Sequence, residues 1–253
     1  MSLWALEIEY DGRPFMGWQR QKHGLAIQQV VEEAAARLRG GAEVTEAVSA
    51  GRTDAGVHAL AMIVQIELPG LTPFRIREAM NFHLKPHPIV VRRCCPAPEG
   101  WNARFSALWR SYRYIISNRA VPPALEAGRV WHVRQTLDAA LMHRAAQHLL
   151  GHHDFSSFRA AACQAKSPMR TLDHLAVWRE GEKIIVEARA RSFLHHQVRN
   201  MVGSLAKVGD GSWPEAKLAA VLGAKSRAAA AMTAPAEGLY FTGVAYEPGL
   251  NLV

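Results

Sequence analysis

The run Gly51-Arg52-Thr53-Asp54-Ala55-Gly56-Val57-His58-Ala59 sets one carboxylate, Asp54, between a cation and two glycines. Stretches with strand-like alternation flank it, so it is expected to form a tight connection at a sheet end. Gly51 and Gly56 allow backbone geometry that a Cβ forbids, and they let a bulky ligand approach. Arg52 and Thr53 are placed to hold the carboxylate ionised through charge and hydrogen bonding. A single ionised Asp so presented suits nucleophilic or base chemistry on one substrate carbon. The same string also fits a structural turn, with Asp54 capping a backbone N–H and Arg52 a surface charge.

Other chemistry finds less support. His148, His152 and His153 have helix-compatible spacing, and His195-His196 is a pair, but no H-E-x-x-H or C-x-x-C set accompanies them. The glycine at 151 stops the helix before His152, which breaks any shared face. No metal is therefore expected. The chain has no P-loop, no G-x-G-x-x-G and no G-x-S-x-G elbow.

These residues must be positioned by a chain of 253 residues, enough for one large domain or two small ones. Its composition, 49% hydrophobic and 21% charged, is that of a globular protein. No apolar run reaches the roughly 18–20 residues that span a bilayer. The start, Met1 to Glu7, lacks the pattern of a signal peptide. Cys94, Cys95 and Cys163 form an odd set, which fits a reducing cytoplasm better than a disulfide framework. The net charge is +8, and the stretch from Arg75 to Arg134 alone holds 11 Lys/Arg against 3 Asp/Glu. Aromatics interleave with these cations: Phe74, Phe82, Trp101, Phe105, Trp109, Tyr112 and Tyr114. Cations neutralise phosphates and rings stack on bases, so this pattern suits a nucleic-acid surface. It equally suits a basic protein whose aromatics are core. A membrane-surface role would need a basic amphipathic helix, and none is evident.

The periodicity predicts β-α-β-β-α-β twice. In the first half, Trp4, Leu6, Ile8 and Tyr10 share a strand face, and Ile27 to Leu38 is an amphipathic helix stopped by Gly40-Gly41. Glu43 to Ala50 and His58 to Leu68 are strands, Thr72-Pro73 starts a helix, and Ile89 to Cys94 is a strand. In the second half, Arg104 to Ser117 is a strand and Thr136 to Leu150 a helix. Thr171 to Arg179 and Lys183 to Phe193 form a hairpin, His196 to Val208 is a helix, and Leu239 to Glu247 a strand. Extra helices are expected at Trp213 to Leu222 and Ser226 to Met232. The expected class is therefore α+β, with mostly antiparallel sheets in two ferredoxin-like units, residues 1–100 and 101–253, flanking a central cleft. The long connections Asp11 to Ala26 and His152 to Arg170 are rich in Arg, Gln, Phe and Trp, which suits ordered functional loops.

The Asp54 run resembles the catalytic motif of the tRNA pseudouridine synthase A family, and the resemblance covers nearly the whole chain. Tyr10 to Gln21 is similar to that family's first loop. Ala103-Arg104-Phe105-Ser106-Ala107 and Tyr112-Arg113-Tyr114 match its central strand. His153 to Arg159, Cys163-Gln164 and Pro168-Met169-Arg170 match a segment of its second half. Phe193 to Gly203 and Ala234 to Leu239 complete the set, in the family's order.

The resemblance implies a cofactor-free isomerase that converts uridine to pseudouridine at positions 38–40 of the tRNA anticodon stem-loop. It assigns Asp54 as the catalytic carboxylate, Arg199 as the cation that pairs with it, and Tyr112 as the ring that stacks on the target base. Arg52, Arg104 and Arg110 are then expected to contact substrate. It also implies a homodimer. The chain departs from the family at Ser111, where many relatives carry Arg, at Leu60-Ala61-Met62, and at Pro86-His87-Pro88. None of these removes a catalytic residue. A non-catalytic RNA-binding protein on the same scaffold would not need Asp54, Tyr112 and Arg199 together. A carboxylate-dependent hydrolase would need a second placed acid or a metal set.

Overall fold

Trp4, Leu6, Ile8 and Tyr10 are all buried in a central strand, β1 (Ser2–Tyr10). The computed structural model describes residues 1–41 and 46–253, so Glu43 to Thr45 of the expected second strand lie outside the described residues. The chain divides into two compact units, residues 1–110 with 240–253, and residues 111–239.

In the first unit, β1 is followed by α1 (Ile27–Leu38), β2 (Val48–Ser49), β3 (His58–Leu68), α2 (Pro73–Leu84) and β4 (Ile89–Pro96). β1 runs antiparallel to both neighbours, with Leu6 opposite Val64 of β3 and Cys94 of β4. Because it is central, its second face is covered as well. Ala5 and even Glu7 are buried, and the Glu7 carboxylate receives Arg93 Nε at 3.0 Å from the facing position on β4. A buried carboxylate needs such a partner. The last strand, β10 (Leu239–Ala245), returns to this unit and lies parallel to β3, Tyr240 opposite His58.

α1 begins without a side-chain cap. Its first N–H groups instead go to loop carbonyls, Ile27 N to Gly17 O at 3.1 Å and Gln28 N to Trp18 O at 3.0 Å. The helix ends as expected at Gly40-Gly41, where both glycines have positive φ and Gly41 N reaches Ala36 O. α2 starts at Pro73 behind the Thr72 cap and buries Ile76, Met80 and Leu84.

The second unit is built on a sheet in the order β5-β9-β8-β7. Its elements are β5 (Trp109–Asn118, of which Ser111 onward belongs here), β6 (Trp131–Val133), α3 (Ala139–Ala146), β7 (Gly151–Asp154), β8 (Met169–Glu180), β9 (Lys183–Ala190), α4 (Gln197–Gly209) and α5 (Lys217–Ala224). The hairpin about Glu180-Gly181-Glu182 is present, with Glu180 opposite Lys183. Four expectations are corrected. The strand expected from Arg104 begins at Trp109, because Asn102 Oδ1 accepts the N–H groups of Arg104 and Phe105 and turns the chain. The helix expected from Thr136 begins at Ala139, where Asp138 caps Leu141 N at 2.9 Å. The connection from His152 contains β7, paired with β8, and a 3₁₀ turn at Ser156–Phe158. The helix expected over Ser226 to Met232 is reduced to a 3₁₀ turn, Arg227–Ala229, followed by an extended strap.

That strap lies along α4. Ala234 N donates to Arg199 O at 3.1 Å, Ala231 N to Ser204 Oγ at 3.2 Å, and Thr233 Oγ1 to Asn200 Oδ1 at 2.6 Å. A Cβ at Gly203 would stand 1.9 Å from Met232 O, so the approach requires glycine. Among the described residues no helix is long and apolar enough to cross a membrane.

Two glycines in helices make a matched pair for testing this packing. Gly203→Ala gains helix propensity but must push the strap away, and a net loss of roughly 1–3 kcal/mol is expected. Gly223→Ala on α5 meets nothing within 4 Å. It is expected to stabilise by about 0.5–1 kcal/mol. Urea midpoints of the two variants should move in opposite directions. A Gly203→Ala variant as stable as the parent would show that the strap does not depend on this contact.

Candidate functional site

The Asp54 loop joins β2 to β3 in the first unit, and the first long connection packs directly on it. Trp18 N donates to Thr53 O at 3.0 Å, and Gly56 N to Phe15 O at 3.4 Å. Gly17 has φ +91°, and a Cβ there would come within 2.7 Å of Thr53 O and 3.1 Å of Ala55 N. A Cβ on Gly12 would come within 2.0 Å of Val57 O. Gly12 N also donates to His58 Nδ1 at 3.1 Å, and the His58 ring stacks on Tyr240, centroids 4.7 Å apart. Val57 N closes a turn onto Asp54 O at 3.2 Å, with Gly56 at φ +78°. Phe15 and Trp18 are buried and anchor the connection from within.

Asp54 itself is half-buried, between exposed Ala55 and buried Thr53. The reading in which Arg52 and Thr53 hold the carboxylate is corrected. Thr53 Oγ1 hydrogen bonds with Tyr10 OH at 2.8 Å, so its hydroxyl ties the loop to the end of β1. Arg52 is exposed and makes no hydrogen bond or ion pair among the described residues. The loop is fixed by backbone contacts, and the Asp54 side chain sits half-buried in it.

Arg104 and Arg110 are brought together, in different roles. Arg110 is only 8% exposed. Its Nε donates to Ala50 O at 2.8 Å, at the entry to the loop, and its Nη2 donates to Arg104 O. A guanidinium spent on two carbonyls in the interior holds backbone, which revises its expected role as a substrate contact. Arg104 is exposed, with its guanidinium 5.5 Å from the centre of the Phe105 ring. Tyr246 OH closes this corner by donating to Ala103 O at 2.7 Å, and burial pushes its phenol well above the usual range.

Tyr112 and Arg199 belong to the second unit. Tyr112 is buried on the same face of β5 as Tyr114, and its ring meets Phe193 edge-on, centroids 5.1 Å apart. Arg199 lies in the first turn of α4, half-buried, and its Nε donates to Ala234 O at 2.8 Å. With Ala234 N on Arg199 O, this makes a two-way link between helix and strap. The next strap residue, Pro235, accepts from Tyr114 OH at 2.7 Å, and a Cβ on Gly238 would stand 2.6 Å from the Tyr114 ring. Burial raises the Tyr114 phenol pKa, with the Arg199 charge opposing it. The segment Ala234 to Leu239 therefore has a physical task, which is to seat Arg199 and Tyr114.

Sequence reasoning missed Tyr10, Gly12 and Gly17 as supports of the Asp54 loop. Their signal was present in the two glycines and the buried aromatics of an otherwise unstructured connection. The His195 and His196 rings stay together, centroids 4.0 Å apart, while the earlier pair diverges. His152 and His153 are neighbours on β7 and point to opposite faces, binding Thr171 Oγ1 at 3.0 Å and Leu150 O at 2.7 Å.

A family model described as tRNA pseudouridine synthase matches residues 7–106 and 145–247. A tRNA pseudouridine synthase A from Acidiphilium cryptum is 57% identical over 249 residues, 98% of this chain and 97% of that protein. One from Rhodospirillum centenum is 57% identical over 96% of this chain and 98% of its own length. One from Gluconobacter oxydans is 51% identical over 97% and 90%.

The support of the Asp54 loop is open to direct test. Gly17→Ala faces both a positive φ and a backbone clash, and is expected to destabilise by roughly 2–4 kcal/mol. Tyr10→Phe removes one partner from the buried Thr53 hydroxyl and should cost about 1–2 kcal/mol. In both, backbone amide shifts should change most over residues 53–57. Shifts confined to 10–18 would mean that the two segments are not coupled.

Proposed function

The chain belongs to the tRNA pseudouridine synthase family and is an isomerase acting on uridine in tRNA; from that premise we propose that Asp54 carries the reaction, at positions 38–40 of the anticodon stem-loop. The reaction breaks the bond between C1′ and N1 of uridine, turns the base, and joins C1′ to C5. It is redox-neutral and transfers no phosphate, so its chemistry calls for neither a redox cofactor nor a metal. It calls for one carboxylate beside the sugar, a surface that retains the detached uracil, and removal of the C5 proton. The observation that carries the reading is the glycine-packed loop that holds the Asp54 carboxylate half-exposed at a strand end.

The other residues take roles around that carboxylate. Tyr112 supplies the ring that retains the base. Arg199 supplies the guanidinium on which turnover depends. Arg52 and Arg104, both exposed, contact the RNA backbone, and Arg110 positions the segments that carry them. The working enzyme is a homodimer in the cytoplasm, where its three free cysteines stay reduced. Its two domains, residues 1–100 and 101–253, are proposed as the functional division of the chain.

The test is release of tritium from tRNA labelled at uridine C5, run with folded tRNA and excess chelator. The parent protein should release label, and Asp54→Asn should release none above background while binding tRNA within a few-fold of the parent. Substantial turnover by Asp54→Asn would remove Asp54 from the mechanism. Label located outside positions 38–40 would overturn the proposed substrate position.

Arg199→Ala separates chemistry from grip. Its single-turnover rate should fall by tenfold or more, on the order of 1.4 kcal/mol in the barrier, with affinity little changed. Lost affinity with a normal rate would make Arg199 a binding residue instead.

A further inference from the structure

The second unit carries a cavity of about 730 Å³ lined in part by Arg119, Arg134, Arg179, Leu137, Asp138 and Ala139. None of the residues assigned a functional role above lines it. Its volume falls within the roughly 300–1,000 Å³ of sites that take small ligands.

Two of its guanidiniums are held in place by the fold. Arg179 Nη2 donates to Asn118 Oδ1 at 2.8 Å and to Leu137 O at 2.7 Å. Asn118, itself buried, donates through Nδ2 to Val133 O at 3.0 Å and to Gln135 O at 2.7 Å. Arg119 donates to Val121 O at 3.0 Å and pairs with Glu182 at 2.9 Å. The third, Arg134, is exposed and has no hydrogen bond or ion pair among the described residues. All five of its N–H donors are available. The carboxylates nearby are already engaged, Asp138 capping Leu141 N and Glu182 pairing with Arg119. The lining thus keeps a positive excess, and its wall at Ala139 and Ala140 is the start of α3, where the helix dipole adds to it.

A polar concavity with two fixed cations and one unengaged guanidinium suits an anion with several acceptor oxygens. We propose that this cavity is a phosphate-binding site that takes a nucleotide unit of the tRNA substrate, with Arg134 as its main donor. The proposal rests on the reading of the protein as a tRNA enzyme. A free nucleotide or inorganic phosphate offers the same chemistry, so the test separates these sources.

Arg134→Ala and Arg134→Glu are compared with the parent and with Arg37→Ala, an exposed cation of α1 outside the cavity. tRNA affinity is measured across a salt series. The alanine variant should weaken binding roughly three- to tenfold and lower the salt slope by about one, the glutamate variant more, and Arg37→Ala not at all. In parallel, the amide resonances of Ala139 and Ala140 are followed while inorganic phosphate and 5′-UMP are added. If both Arg134 variants bind tRNA as the parent does and the amides do not move, the proposal is wrong. If the amides move but tRNA binding is untouched, the site takes free phosphate compounds and its assignment to tRNA is overturned. A parent protein that shows the Arg134-dependent slope yet releases no tritium would sink the proposed reaction and leave the cavity's assignment standing.

Discussion

Between the segment 12–18 and the backbone of residues 53–57 there is no room for a Cβ, and the presentation of Asp54 depends on that exclusion. At Gly12 and Gly17 the added carbon would fall 2.0 Å and 2.7 Å from carbonyl oxygens. These are backbone atoms, which cannot swing aside as the end of a side chain can. The same close approach lets Trp18 N reach Thr53 O, and it carries on into α1, whose first N–H groups end on Gly17 O and Trp18 O. Helix, connection and loop are therefore one hydrogen-bonded assembly. Its side-chain tie, Tyr10 to Thr53, fixes the loop to the end of the central strand. Backbone contacts fix the loop and hold the Asp54 side chain half-buried at its edge, beside the exposed Arg52. A loop held by its backbone in this way is positioned by the scaffold rather than by its own side chains.

The second unit repeats the device with different parts. Gly203 removes a side chain from α4, the strap closes to backbone contact, and Ala234 then grips Arg199 through both its N–H and its carbonyl. A guanidinium on a long stem loses much rotamer entropy when it is ordered. Here the loss is met in advance by the Ala234 carbonyl, and the strap is itself pinned by Tyr114 at Pro235. The role proposed for Arg199 would gain from such prior ordering, because less reorganisation is left for the reaction step.

Much of this was legible in the sequence because local signals and tertiary packing agree. Thr72-Pro73 and Gly40-Gly41 mark helix ends in any context, and both marked them here. The Asp54 run was legible as a tight connection at a strand end, and Gly56 takes a positive φ there. What stayed hidden depended on long-range partners. Burial of Glu7 follows from β1 being central and from Arg93 facing it, and neither can be read from residues 2–10 alone. The strand expected from Arg104 fails because Asn102 captures two N–H groups, a short-range signal hidden by the apolar pattern after it. The alanine-rich run after Ser226 has helical propensity, yet Ala231 N and then the Thr233 hydroxyl are claimed by α4, and tertiary contact overrides propensity.

The arginines show the same limit in another form. A count along the chain treats every guanidinium between Arg75 and Arg134 as available to RNA. The fold does not. Arg93 serves Glu7, Arg113 pairs with Glu187 at 2.7 Å, Arg119 pairs with Glu182, and Arg110 is turned inward onto carbonyls. Each of these has its charge or its donors already answered, and releasing them to a phosphate would break a contact that the fold uses. Net charge still sets the long-range field that draws RNA in. Close contact must come from cations with donors to spare, of which Arg52 and Arg134 are the clearest. Arginines already engaged and arginines with donors to spare are thus different subsets of the same residue type, and only the structure separates them.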